Sequence, residues 1–398
     1  MPDDRNGVER ARSVYIVVGE ESGDQLGARL MQALVARAGG PLTFRGVGGT
    51  RMAEQGLTSI FPVEDIAVMG LSAVLQRLPL IVRRVYQTVD DVIAADPDVL
   101  VIIDSPDFTH NVAKRVRKRA PHIPIVDYVS PSVWAWRPGR ARKMAAYVDH
   151  LLAILPFEPA AHARLGGPPT SYVGHPLIER AGDLRPAAGE RRDLAQGEAP
   201  CLLVLPGSRR SETTRLMADF GGALALLAEE HPGLEVVLPA VPWLRDQIAE
   251  LAGLWPVRPE IVVSEADKQA AFRKAHAALA ASGTVTLELA ISGVPMAVAY
   301  KLDWFYRRIK EINRIWPIVT AQSMVLPNII LDDKVVPEFL DDEANPRALA
   351  DTVAPLLRAS EARQRQVSAF ERLDDLMRLD TGRSQAGEAA RIVLETAR

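Results

Sequence analysis

Val99-Leu100-Val101-Ile102-Ile103-Asp104-Ser105-Pro106-Asp107-Phe108 opens with five apolar residues and no polar interruption. Such a run is too short for a buried helix and too uniform for a half-exposed strand. It reads as a strand covered on both faces, as in a parallel sheet. The Ser-Pro-Asp that follows reads as a turn delivering the chain into a helix, with proline in the first turn. The same grammar of short apolar run, turn and longer helical pattern recurs on both sides. Strands are predicted at 14–18, 43–47, 99–104, 123–128 and 151–155. A polar, loop-like stretch at 176–200 interrupts the series, and further strands are predicted at 201–205, 235–238, 260–263, 277–281 and 295–299. Alternation of this kind is the signature of βαβ units. The chain is predicted to be α/β, with two doubly wound domains facing a crevice, 1–180 and 181–398. The charged helical stretch 346–398 is expected to pack back on the first domain.

Composition agrees. The chain has 398 residues, beyond the ~250–300 at which one core stops growing. With 48% hydrophobic and 24% charged residues it is neither disordered nor fibrous. Net charge is −3, without the basic excess of a dedicated nucleic-acid binder, so no nucleic-acid partner is expected. A lone cysteine, Cys201, excludes an intrachain disulfide, and no Cys/His cluster has metal-ligand spacing. The first thirteen residues lack the apolar core of a secretory signal and no apolar run is long enough to span a bilayer, so a cytoplasmic protein is expected. Residues 66–150 nevertheless carry net charge +4, leaving −7 on the rest. There the apolar segment Ile66-Ala-Val-Met-Gly-Leu-Ser-Ala-Val-Leu75 precedes Arg77, Arg83 and Arg84, then Lys114, Arg115, Arg117, Lys118 and Arg119, and then Arg137, Arg140, Arg142 and Lys143. Apolar plus basic suggests an anionic membrane surface, and an amphipathic helix packed on a core gives the same pattern.

Four turns carry candidate chemistry, each expected at the carboxyl end of a strand, where open α/β sheets place their ligands. Gly19-Glu20-Glu21-Ser22-Gly23-Asp24 is not G-x-G-x-x-G, and its acids would repel a pyrophosphate, so a sugar hydroxyl is the better guest of Glu20, Ser22, Gly23 and Asp24. Helix capping by Ser22 and Asp24 is the plain alternative. Asp104, ending the opening strand, is the candidate general base, since partial desolvation there raises carboxylate basicity; a helix cap or ion-pair role competes. Leu205-Pro206-Gly207-Ser208-Arg209 offers close backbone approach, N–H donors and a guanidinium to an anion without being a P-loop. Ser282-Gly283-Thr284 repeats that design, with Glu288 one helical turn later as a ribose acceptor. Two anion cradles beside a carboxylate suggest a nucleotide-diphosphate site. Trp134 and Trp136 alternate as on a strand facing one way, as pocket lining or as core.

These strings, with Gly46-Val47-Gly48-Gly49, Tyr128 through Arg137 (YVSPSVWAWR), Leu155-Pro156-Phe157-Glu158 and Gly174-His175-Pro176, resemble lipid-A-disaccharide synthase across nearly the whole chain and in its order. The resemblance implies the architecture of two Rossmann-like domains called GT-B, and an inverting reaction that needs no metal and no cofactor. It implies transfer of the sugar of UDP-2,3-diacylglucosamine to the 6-hydroxyl of 2,3-diacylglucosamine 1-phosphate. The products would be the β(1→6) disaccharide 1-phosphate and UDP. It assigns Asp104 as base, Arg209 to the departing diphosphate, and Glu288 and Asn328 to the nucleotide. It makes Val68, Met69, Leu71, Val74, Leu75 and Leu78 a membrane-docking segment on the cytoplasmic face of the inner membrane. A homodimer is compatible with it. Two other readings of the residues stay open: a related enzyme on UDP-N-acetylglucosamine, either epimerase or transferase, and a non-catalytic nucleotide-binding module. A nicotinamide oxidoreductase is opposed by the missing G-x-G-x-x-G.

Overall fold

The computed structural model describes residues 12–67, 71–301, 323–379 and 382–398. The chain divides into two compact units, Met1–His175 with Leu379–Arg398, and Pro176–Arg378. The first unit therefore ends a few residues before the predicted boundary and is rejoined by the end of the chain.

The first unit is built on seven parallel strands: β1 (Arg12–Val18), β2 (Leu42–Val47), β3 (Thr58–Ser59), β4 (Val99–Ile103), β5 (Ile125–Tyr128), β6 (His150–Ala153) and β7 (Thr170–Tyr172). Their order is β3-β2-β1-β4-β5-β6-β7. Every residue of β4 is fully buried, as its uninterrupted apolar run requires. Ile16 of β1 lies between Gly46 of β2 and Val101 of β4. At Gly46 the backbone takes φ +150°, and a Cβ there would fall 1.8 Å from the Ile16 carbonyl oxygen, so only glycine lets the two strands approach. The Glu21–Arg37 helix buries Leu30, Met31 and Leu34 and packs along the Gln385–Thr396 helix. Gln385 donates to the buried Tyr128 hydroxyl, and the Arg398 N–H donates to the Asp98 carbonyl at 3.1 Å, fastening the end of the chain to this unit.

The second unit repeats the plan with six parallel strands: β8 (Cys201–Leu205), β9 (Glu235–Pro239), β10 (Glu260–Val262), β11 (Ala277–Ala281), β12 (Met296–Tyr300) and β13 (Glu338–Leu340). Their order is β10-β9-β8-β11-β12-β13. The Arg210–Glu230 helix turns Leu216, Phe220, Leu224 and Leu227 into the core and packs on the Pro346–Val353 helix. In each sheet the strand order reverses once, between β1 and β4 and between β8 and β11. Those are the switch points outside whose carboxyl ends ligands bind in such folds.

Strands β3, β7 and β13 were not predicted. Residues 132–136, read as strand-like, form a turn instead, in which the Ala135 and Trp136 N–H groups both donate to the Ser132 carbonyl. Among the described residues no helix is long and apolar enough to cross a membrane.

Candidate active site

At the first switch point the chain leaves β4 through two consecutive non-glycine residues in the left-handed region, Asp104 (φ +55°) and Ser105 (φ +44°). Such conformations cost of order 1–3 kcal/mol each and persist where surrounding contacts over-determine them. Here the Asp104 N–H donates to the Tyr128 carbonyl at 3.1 Å, and the Thr109 hydroxyl donates to the Asp104 carbonyl at 2.6 Å. The Ser105 N–H donates to Asp104 Oδ1 at 2.7 Å. Gly19, at the end of β1, leaves the room this turn needs: a Cβ there would lie 2.4 Å from that of Ser105. The result lifts the half-buried Asp104 carboxylate out of the strand line, where the Ser22 hydroxyl donates to its Oδ2 at 3.1 Å. Glu20, Glu21 and Ser22 are exposed beside it, and Gly23 is buried against Val18.

Asp24 has another task. It is buried, and its carboxylate accepts from the N–H groups of Gly49 (2.7 Å), Arg51 (2.9 Å) and Met52 (3.2 Å). It caps the short Thr50–Ala53 helix and fixes the Gly48-Gly49 turn instead of projecting toward a ligand.

At the second switch point the turns after β8 and β11 border a cavity of about 310 Å³. Gly207, Ser208, Ser282, Gly283, Thr284 and Glu288 all line it, with Ala240, Val241 and Pro242 after β9 and Val262 and Val263 at the end of β10. Gly207 takes φ +105°, and a Cβ there would lie 2.7 Å from Glu212 Oε2, so the turn's backbone is bare toward the cavity. Glu288 is joined to Lys268 at 2.7 Å, and both face the cavity. Arg209 follows the lining residue Ser208 but does not itself line the cavity; it is two-thirds exposed, with Nη1 3.2 Å from Oε1 of the lining Glu212. Lys268, Glu212 and the apolar wall at 240–242 and 262–263 were missed in the sequence, where no motif marks them.

Asn328 does not line the cavity. Its amide is spent on the Val336 carbonyl, Glu338 Oε1 and the N–H groups of Val335 and Val336, all at 2.8–3.0 Å. Glu338 in turn accepts from the Met324 N–H at 2.8 Å, and the Met324 carbonyl accepts from the Ser282 hydroxyl at 2.7 Å. Asn328 thus braces the turn that Ser282 belongs to.

A buried polar cluster underlies the loop after β5. Glu158 is 2% exposed and accepts from the Trp134 indole N–H at 3.2 Å and the Leu155 N–H at 3.1 Å; burial pushes its carboxyl up to about 7. Trp134 stacks edge-on against Phe157, and Ser130 pairs with the buried His162 at 2.8 Å. Trp134 is thereby anchored to the loop's floor, while Trp136 has the Arg137 guanidinium 5.2 Å over its ring.

Of the docking segment, Val68 and Met69 lie outside the described residues, and Leu71, Val74 and Leu75 fall on the first turns of the Leu71–Ala95 helix. Leu78 is exposed, and so are Val82 and Tyr86 at the same four-residue spacing, an apolar stripe open to solvent.

The family model described as lipid-A-disaccharide synthetase matches residues 14–393. The lipid-A-disaccharide synthase of Nitrobacter winogradskyi is 51% identical over 403 aligned positions, covering 100% of this chain and 98% of that one. Among solved structures, the S. aureus MnaA–UDP co-structure superposes with TM-score 0.59 at 13% identity, covering 96% of this chain and 95% of that one. Acinetobacter baumannii MurG superposes with TM-score 0.58 at 12% identity, covering 96% and 99%. Those likenesses establish the GT-B fold. With the model spanning nearly the whole chain and half the residues shared with a curated relative, the chain belongs to the lipid-A-disaccharide synthase family, the glycosyltransferases that form the lipid A disaccharide.

Proposed function

We propose that the second unit's cavity holds the UDP of UDP-2,3-diacylglucosamine and that Asp104 of the first unit takes the proton from the 6-hydroxyl of 2,3-diacylglucosamine 1-phosphate. The observation that carries the reading is the cavity at the second switch point, where two bare turns, an apolar slot and the Glu288–Lys268 pair meet. The slot between 240–242 and 262–263 suits a planar base, Glu288 accepts from ribose hydroxyls, and the N–H groups of the 207–208 and 283–284 turns suit the diphosphate. As the acceptor oxygen bonds to the anomeric carbon from the face opposite UDP, its proton passes to Asp104. In the same step the anomeric C–O bond to the diphosphate breaks, its electron pair staying on the β-phosphate oxygen. Arg209 and the turn N–H groups meet the charge that grows there. Ser22 holds the Asp104 carboxylate in place at 3.1 Å. Glu20 and Glu21 make this turn hospitable to sugar hydroxyls and not to phosphate.

The exposed Leu78–Val82–Tyr86 stripe, with the basic residues that follow it, supports peripheral attachment to an anionic membrane face on the cytoplasmic side of the inner membrane. The deciding experiment is UDP release from UDP-2,3-diacylglucosamine, with and without 2,3-diacylglucosamine 1-phosphate, in detergent plus EDTA. Release that requires the acceptor and survives EDTA is expected. Tight UDP binding with no release would replace this reading with a nucleotide-binding module or a different acceptor.

A further inference from the structure

Two helices of the first unit, Pro106–Arg119 and Gly139–Met144, carry Lys114 and Arg115 on the one and Arg140 and Lys143 on the other. Arg140 Nη2 lies 3.3 Å from Asp107 Oδ1, tying the second helix to the first turn of the first. The Lys114 ammonium sits 5.3 Å over the Tyr147 ring, just beyond the second helix, and Arg115 stacks 5.2 Å over Tyr86 while donating to Asn111. Burial lowers the Lys114 pKa, and the nearness of Arg140, Lys143 and Arg115 lowers it further, with Asp107 the acid acting the other way. Four cations facing one carboxylate repel one another in the absence of an anion, and a doubly charged group set among them relieves that repulsion.

The position is specific. Asp107 is the second residue of the Pro106–Arg119 helix, three positions after Asp104 and just past the left-handed turn at 104–105, so Arg140 is tied to the helix that starts directly after the carboxylate that accepts the acceptor's proton. We propose that Arg140, Lys143 and Lys114 form a subsite for a phosphate monoester, the 1-phosphate of the acceptor, which fixes the sugar while its 6-hydroxyl is presented to Asp104. This rests on the function proposed above and adds to it which residues read the acceptor's charge. Arg115, laid over Tyr86 on the exposed apolar stripe, links the subsite to the surface along which acyl chains would lie.

The same chemistry would also take the phosphate of an anionic lipid headgroup, and the test separates the two. Wild type, Arg140→Gln with Lys143→Gln, and Lys114→Gln are compared in neutral detergent on two acceptors, 2,3-diacylglucosamine with and without its 1-phosphate. Arg37→Gln, on a distant exposed surface, controls for net charge. The expected result is a KM for the phosphorylated acceptor raised at least tenfold in the double variant and several-fold in Lys114→Gln. The KM for the unphosphorylated acceptor, the UDP affinity and the melting temperature should stay as in wild type. Calorimetric titration of the phosphorylated acceptor without donor reads the subsite directly and should weaken in parallel. Equal effects on both acceptors, or none, would overturn the proposal. Loss of co-sedimentation with phosphatidylcholine vesicles containing phosphatidylglycerol, without acceptor selectivity, would give the cations to lipid headgroups and overturn it as well. Failure of the wild type to turn over either acceptor would count against the function itself, while calorimetry still decides the subsite.

Discussion

The two switch points are the same construction made twice, and they differ in what the turns expose. After β4 the chain accepts strain at residues that keep their side chains, Asp104 at φ +55° and Ser105 at φ +44°, and holds them with hydrogen bonds from Thr109 and Ser22. After β8 the positive φ belongs to Gly207, at +105°, and the cavity meets backbone. The first turn presents a carboxylate among further acids; the second presents backbone to a cavity that Lys268 lines. One topology thus supports opposite electrostatic tasks, because strain borne by a side-chain-bearing residue delivers a functional group while glycine clears a path to the main chain. Proton acceptance and anion binding are separable on this view.

The sharpest way to break the separation is Asp104→Asn. Asparagine tolerates the left-handed region and still accepts from Ser22, so the fold and UDP affinity should hold while turnover falls by ~10²–10⁴-fold. A parallel loss of UDP affinity in titration calorimetry would show the two tasks to be coupled. Next in size is the support of the first unit's loop. The folded chain prefers the neutral Glu158 acid, raised by burial from 4.5 to about 7, so its contribution is intact below 4.5 and lost as pH climbs through 7. Glu158→Gln cannot titrate, and its stability relative to wild type should rise by on the order of 3 kcal/mol across that window. Denaturant unfolding at pH 4.5, 6, 7 and 8 measures this, and a constant difference would contradict it. In the second unit, Arg209→Ala should weaken UDP binding about 10–100-fold, the value of a charge-assisted hydrogen bond, and slow turnover. Lys268→Met should weaken it less, about five-fold, since the Lys268–Glu288 pair is only partly buried. If Lys268→Met proves the more damaging, the orienting pair matters more than the guanidinium.

Much of the frame was legible in the sequence because parallel strands covered on both faces are written as uninterrupted apolar runs; Cys201–Leu205 and Ala277–Ala281 were read to the residue. The strands that escaped, Thr58–Ser59, Thr170–Tyr172 and Glu338–Leu340, are two or three residues long, lie at sheet edges and are half-exposed, which leaves no pattern to detect. Cavity-lining residues carried by a turn, such as Gly207, Ser208 and Thr284, were legible because glycine beside a strand end has a mechanical meaning. Lys268 and Glu212 were not, since their place at the cavity depends on how helices settle on the sheet. Asp24 and Asn328 show the converse: a polar residue in a motif can be fully occupied in holding neighbouring backbone. The tryptophans misled because alternation over five residues fits a turn as well as a strand.

The return of the Gln385–Thr396 helix to the first unit sets a timetable for biosynthesis. The Glu21–Arg37 helix leaves the ribosome well before the helix it packs along, which follows the whole of the second unit in the chain. At ~5–20 residues per second, the roughly 200 residues between His175 and Leu379 take about 10–40 s to be made. The first unit therefore waits, its apolar groove open, while the second has all of its own chain. A released chain ending at residue 378 should be cut by protease within residues 12–175 and resist within 176–301 and 323–378. Adding residues 379–398 should close the difference.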